Sequence, residues 1–308
     1  MRIASAYAFE SSVANQQRRQ QALSASQEQL TSGKRVLRAS DDPAAAAAAE
    51  RALAAASRSD AQMRALDASR VATRLTETAL GDAGELMQQA RELVLAAGNS
   101  SLSDSDRRNF GARLHGLRNE LLALANRSDS DGRYLFGGQG SDGPPLLDIP
   151  GGVSFNGTAG QADAAAGAVS PLSVDGRAVW LQADDPVQPG QPLSAFDVMD
   201  RLAAEMATGG RPTADVMQSV SRGLGEIDAV AANLSAWRSR SGETLNRLEA
   251  LGERVAQDKL DAQQSRSDAE DLDMVQAISD FQNRQSGYDA ALKTYSIVQR
   301  MSLFDYLR

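Results

Sequence analysis

Gly138-Gln139-Gly140-Ser141-Asp142-Gly143 carries the glycine spacing of a dinucleotide-binding loop. That loop works only where a helix starts directly after the glycines, because the helix N-terminus receives the pyrophosphate. Here Pro144-Pro145 follow and no helical pattern begins, so the segment reads as a flexible linker between domains. Asp129-Ser130-Asp131-Gly132 resembles half of a calcium loop, but the twelfth position needs a carboxylate and Gly140 stands there. It reads as a turn that ends a helix. His115 is the single histidine, set beside Leu114 and Leu117 on a helical stretch, and no zinc-binding spacing surrounds it. Gly152-Val153-Ser154-Phe155-Asn156-Gly157 misses the nucleophile-elbow spacing by one residue. The acidic residues fall where helix caps and solvated faces require them, so no carboxylate pair stands out for acid–base work. The Asn-x-Ser/Thr sites at Asn99, Asn126, Asn156 and Asn233 are short enough to arise by chance. The residues therefore predict no catalysis, no cofactor and no metal.

The elements that carry these residues are mostly helical. The chain has 308 residues, a net charge of −8 and no cysteine. Its pI of about 4.9 argues against a nucleic-acid partner. Absence of cysteine removes disulfides, thiolate metal sites and cysteine nucleophiles. The start lacks the apolar core of a secretory signal peptide, and no apolar run is long enough to span a membrane. The expectation is a cytosolic protein, or one exported by a route that reads no such peptide. Aromatic residues make up only 5%, which limits the area a compact core can bury.

Eight of the nine prolines lie between Pro144 and Pro212, marking a compositional boundary. Outside it, helices are expected over about 5–29, from Ser40-Asp41-Asp42-Pro43 to Gly98-Asn99, and from Ser103 to about Asp129. Asp42 caps the second and Ser103 with Asp106 forms a capping box for the third. Gly81 and Gly84 are places where the second could bend. Inside the boundary, Arg133-Tyr134-Leu135-Phe136, Val153-Ser154-Phe155 and Ala178-Val179-Trp180-Leu181 read as strands, with a tight hairpin at Asn156-Gly157. Ser194 opens another helix. After Pro212 a long helix follows, broken in polarity at Ser239 to Gly242, and Ser267-Asp268-Ala269-Glu270 reads as the box that opens the last helix.

The termini carry the remaining signal. Phe9, Leu23 and Leu30 share a seven-residue register with Gln16 at the missing step, and Val13 lies on the same face. At the other end Met274, Phe281, Tyr288 and Tyr295 are spaced by sevens, with Ile278 and Leu292 as companions. Termini ordinarily fray. Heptad apolar residues at both ends, interrupted by Gln16, Gln20, Gln27 and Gln285, suit helices that order on assembly.

Several motifs resemble a known family. Met1-Arg2-Ile3, Leu30-Thr31-Ser32-Gly33-Lys34-Arg35-Val36 and Ser40-Asp41-Asp42-Pro43-Ala44-Ala45 resemble the N-terminal region of the flagellin superfamily. Leu102 to Arg107, Asp131 to Gly138 and the ending Met301-Ser302-Leu303-Phe304 are similar to its hook-associated protein 3 branch, the hook–filament junction proteins. Gly242 to Leu251 is similar to that family's returning rod helix. The resemblance spans everything except about 140–212. Flagellins themselves more often carry Asp-Asp-Ala-Ala where this chain has Asp-Asp-Pro, and end in a shorter leucine-rich tail.

The resemblance implies a non-enzymatic structural subunit of the flagellum, located outside the cell after export through the flagellar type III apparatus. Its implied partners are hook-associated protein 1, flagellin, copies of itself in a ring and a flagellar export chaperone, with neither nucleic acid nor membrane. The expected fold is mainly α: an elongated helical-bundle rod with terminal coiled-coil helices and a small β-rich inserted domain. Residues 1–39 and 268–308 are the expected assembly helices, 40–139 and 213–267 the rod, and 140–212 an outward-facing insert that assembly can do without. Phe9, Val13, Leu23, Leu30, Phe281, Tyr288, Leu292 and Tyr295 are the candidate interface residues.

Overall fold

A computed structural model describes the backbone of residues 2–165 and 168–306 and the side chains of residues 10–164 and 171–297. Seven helices and six short strands follow in order among these residues. The chain divides into two compact units, one made of 1–60 with 257–308, the other of 61–256.

In the second unit, α2 (Pro43–Ala97) and α6 (Thr213–Glu270) supply the long walls. Alanine favours the helix and takes little room. On α2, Ala72, Ala79, Ala83, Met87, Ala90 and Val94 recur at three-four spacing and are buried. Asp42 starts α2 by accepting the Ala45 N–H at 3.0 Å. That bond, with help from Arg35, holds the Asp42 carboxyl below its ordinary range. Helix α3 (Asp104–Ala125) opens with the expected capping box between Ser103 and Asp106. The Ser103 hydroxyl, then its backbone N–H, hold the Asp106 carboxyl low.

The 140–212 segment folds as three separate antiparallel hairpins plus two helices. They are β1 (Leu146–Ile149) with β2 (Gly152–Phe155), β3 (Ala162–Ala165) with β4 (Ala168–Ser173), and β5 (Ala183–Asp184) with β6 (Pro192–Leu193). Leu146 pairs with Phe155, so the first hairpin turns at Pro150-Gly151, where Gly151 takes φ +103°, rather than at Asn156-Gly157. The outer edge of β1 is met by a side chain: Asn126 donates to the Leu146 carbonyl at 2.8 Å and accepts the Leu146 N–H at 2.9 Å.

Two expected strands have other structures. Ala178 to Trp180 belong to a short helix, α4 (Gly176–Trp180), capped by the Asp175 carboxylate. Arg133 to Phe136 form no strand: Tyr134 makes a single bridge to Ser128, and Leu135 and Phe136 sit in a turn and are fully buried. A short apolar run does not by itself distinguish a strand from another buried segment. Phe136 meets Trp180 edge-on at 5.1 Å, and Trp180 meets Phe196 of α5 (Ala195–Ala207) at 6.3 Å. These rings sit in one continuous core with Leu80, Met87, Leu114, Leu121, Met199 and Ile227. The segment expected as an outward insert therefore shares its core with α2, α3 and α6.

Helix α6 passes through Ser239 to Gly242 without a break, and Ser241 is buried with its hydroxyl on the Trp237 carbonyl. Likewise α2 is continuous through Gly81 and Gly84. The box expected at Ser267 is absent, because α6 runs on to Glu270. Instead Asp273 caps α7 (Met274–Tyr306), accepting the Val275 and Gln276 N–H groups at 3.0 and 3.2 Å.

Candidate assembly surface

The motifs that suggested chemistry serve structure. Gly138 takes φ +66°, and a Cβ there would stand 1.9 Å from the Thr158 carbonyl oxygen. The Gly138 N–H donates to Val174, the Gln139 N–H to Thr158, and the Thr158 N–H to Gly140, at 2.8 to 3.0 Å. The glycines are thus the crossing point of three ordered segments and not a flexible linker. The Asp129 carboxylate is occupied by its own turn, accepting the N–H groups of Asp131 and Arg133, each at 2.9 Å. His115 is exposed, with Nδ1 3.8 Å from Asp200. No cluster of three or more His, Cys, Asp or Glu side chains fit to hold a metal occurs among the described residues.

The first unit is built differently. Helix α1 (Arg2–Ser32) packs against α7. Gly33, at φ +72°, closes α1, and its carbonyl accepts the Leu272 N–H at 3.0 Å. Lys34 bridges Asp271 in antiparallel fashion and pairs with Glu270 at 3.1 Å. Further along, Arg284 donates to the Ala22 carbonyl at 3.2 Å and to the Ser26 hydroxyl at 2.6 Å. The two helices therefore run antiparallel. The buried side chains described in this unit are Ser26, Val36, Ala49, Ala52, Ser59 and Ala262. Only Ser26 of these lies on α1 or α7, so among the described residues apolar burial holds this pair weakly.

The contact line and the heptad stripes do not coincide. On α7 the residues facing α1 include Arg284 and Gly287, where a Cβ would come 2.9 Å from Arg19. Phe281, Tyr288 and Tyr295 lie roughly 60° further round the helix. On α1, Ser26 and Ala22 face α7, and Leu23 and Leu30 are offset by roughly 60° in the same sense. In an antiparallel pair, equal offsets of the same sense put both stripes on one side. Leu23, Leu30, Phe281, Tyr288, Leu292 and Tyr295 are accordingly half-buried, covered on one flank by the partner helix. Val13 is also half-buried and sits just beyond the stripe, away from α7. The Phe9 side chain lies outside the described residues, as do those of Met301 to Phe304. Beyond the stripe, Met274, Ile278 and Val275 are 44%, 46% and 83% exposed.

Sequence reading missed the contact line itself. Its signal was present as a second heptad of small residues around a cation, Ala277, Arg284 and Ala291, one line over from the aromatics.

Both ends of the chain match one family. Residues 3–141 match the bacterial flagellin N-terminal helical region, and residues 224–307 match the bacterial flagellin C-terminal helical region. The chain belongs to the flagellin family. Among its flagellin-family relatives, flagellar hook-associated protein 3 of Escherichia coli K12 is 28% identical over 241 residues, 75% of each chain. Flagellin of Bacillus subtilis 168 is more distant, 25% identical over 215 residues, 67% of this chain and 66% of that one. The crystal structure of flagellar hook-associated protein-3 from Legionella pneumophila superposes with a TM-score of 0.61 at 18% identity, covering 69% of this chain and 96% of that one. The shared fold and the higher identity to hook-associated protein 3 set this chain with the junction proteins of the family.

Proposed function

We propose that the chain is a structural subunit of the bacterial flagellum at the junction of hook and filament, between hook-associated protein 1 and flagellin. It forms a ring of like copies and acts without catalysis. It reaches that position through the flagellar type III apparatus, carried to it by an export chaperone. Assembly runs through Phe9, Val13, Leu23, Leu30, Phe281, Tyr288, Leu292 and Tyr295.

The observation that carries this reading is the one-sided apolar stripe on the α1–α7 pair. Among the described residues of the pair only Ser26 is buried, and a pair of this kind with aromatics along one flank gains most of its apolar burial when a neighbour covers that flank. In isolation the same pair has little to hold it. Amide exchange on a verified monomer should find both termini far less protected than α3; equal protection contradicts ordering on assembly.

A genetic experiment tests the position. In a strain lacking the gene, the intact chain should restore filaments, and a version without residues 301–308 should leave flagellin shed into the medium. Full filaments from the truncated chain would sink the terminal-assembly reading. The second reading, a filament subunit, draws on the flagellin match. It requires the protein to be abundant in sheared filaments, whereas a junction subunit is scarce there.

A further inference from the structure

We infer that two arginine–glycine contacts, Arg70 on Gly252 and Arg238 on Gly81, fix the axial register of α2 against α6. The two helices run antiparallel within the 61–256 unit. Arg91 meets Asp228 at 2.8 Å, Arg238 meets Glu77 at 2.7 Å, and Arg70 donates to the Leu248 carbonyl at 3.2 Å. The apolar seam alone specifies this alignment poorly. Along α2, Ala79 and Ala83 lie one turn apart, so at that step a slide by one turn sets alanine where alanine was, and a slide by two turns does so for Ala72 with Ala79 and for Ala83 with Ala90. Repetitive seams of this kind take their register from isolated polar contacts.

The Arg70 contact is made to a backbone carbonyl that a glycine leaves open. In a helix, the side chain at position i+4 stands over the carbonyl of residue i. Residue 252 stands over the Leu248 carbonyl, and it is glycine. A Cβ there would come 2.1 Å from Arg70 Nη2 and 3.1 Å from Cζ, so only glycine leaves the carbonyl open to the guanidinium. One turn away, the Thr244 carbonyl is covered by Leu248, which is fully buried. In the reverse direction, Arg238 of α6 lies over Gly81 of α2, its Cζ 3.4 Å from the Cβ position. It pairs with the Glu77 carboxylate at 2.7 Å and not with a backbone carbonyl, so here the glycine only lets the guanidinium lie close against α2. The first unit repeats the design with a serine: Arg284 reaches the Ala22 carbonyl across Ser26. A helix pair pinned in both directions resists sliding either way.

The absence of cysteine makes the register directly readable. A Cβ at Gly98 would touch Val220 Cγ1 at 3.2 Å, so Gly98→Cys with Val220→Cys reports the native register, and Gly98→Cys with Leu224→Cys reports a one-turn slip. In the purified full chain under mild oxidation, the first pair should cross-link and the second should not. Adding Arg70→Leu and Arg238→Leu should raise the slipped yield at least about fivefold relative to the native one. Gly252→Ala should act in the same direction and lower the thermal midpoint, although alanine is the better helix former. Arg70→Lys, which keeps a donor, should restore most of the native pattern. An unchanged cross-linking ratio in the double arginine variant, or a raised midpoint in Gly252→Ala, overturns the inference.

Discussion

Removing the acid from the Arg118 clasp should harm the protein more than removing the base. Arg118 lies on α3 with its side chain 3% exposed. Its Nη1 and Nη2 bind Asp148 of β1 at 2.6 and 2.7 Å, and its Nε binds Asp200 of α5 at 3.1 Å. The guanidinium also lies 5.8 Å over the Phe196 ring. Asp148, however, is 54% exposed. Asp148→Ala leaves a buried cation with one carboxylate. Breaking a fully buried pair costs about 3–5 kcal/mol, and breaking an exposed pair about 0–1 kcal/mol. One buried and one half-hydrated partner put the loss at about 2 kcal/mol, or about 4–8 °C in the midpoint of a domain this size. Arg118→Met keeps most of the apolar stem against Phe196 and leaves carboxylates that water can reach, so about 1 kcal/mol is expected. The double variant should match Arg118→Met, because the two residues act as a unit. Urea unfolding followed by the fluorescence of Trp180 and Trp237, both in the 61–256 unit, measures all three. A larger loss in Arg118→Met than in Asp148→Ala refutes the reasoning. The pH dependence has a definite sign. The Arg118 hydrogen bonds hold the Asp148 carboxyl below its ordinary range. Its contribution is therefore present above the unfolded value near about 3.9 and is lost as pH falls through the lower folded value. Asp197 runs the other way, because burial raises its carboxyl. Stability should thus fall in acid more steeply in the native chain than in Asp148→Ala.

Gly138→Ala should cost more than about 3 kcal/mol, since the Thr158 carbonyl blocks the new methyl and φ is positive. Gly132→Ala, at φ +80° with nothing within 4 Å, should cost only about 1 kcal/mol, so a urea series on the two separates packing from backbone strain. Deletion of 140–212 should abolish cooperative unfolding of the 61–256 unit, because Leu146, Val179, Trp180 and Phe196 leave the common core; a cooperative transition in the deletion chain would count against a shared core. Phe281→Asp with Tyr288→Asp should eliminate assembly in a sedimentation assay while leaving the midpoint of the 61–256 unit within about 1 °C, because both residues lie in the other unit.

Helix ends were legible where short side chains cap them. Asp42, Ser103 and Ser194 each accept backbone N–H groups where the sequence predicts, because capping is a contact between residues three apart. The long-range parts were not legible. Leu135-Phe136 and Val179-Trp180 look like strands, yet their apolarity comes from meeting each other in the core, which only the fold brings about. Gly138 is dictated by Thr158, twenty residues on, and no local pattern announces it. At the termini the heptads marked the two helices that pair but not the line along which they meet, because small residues around Arg284 make the intramolecular contact and the larger ones lie on the flank.

The Asn126 amide has a consequence for crowding. A two-stranded hairpin offers free backbone groups along its edges, with which the same edge of a second copy could pair. By answering both the N–H and the C=O of Leu146, Asn126 imitates the next strand and closes that point to a real one. The hairpin, with Leu147 and Ile149 exposed beside it, thereby avoids becoming a template for strand exchange between neighbours. A sugar attached to Asn126, which heads an Asn-x-Ser site, would remove one donor and reopen the edge.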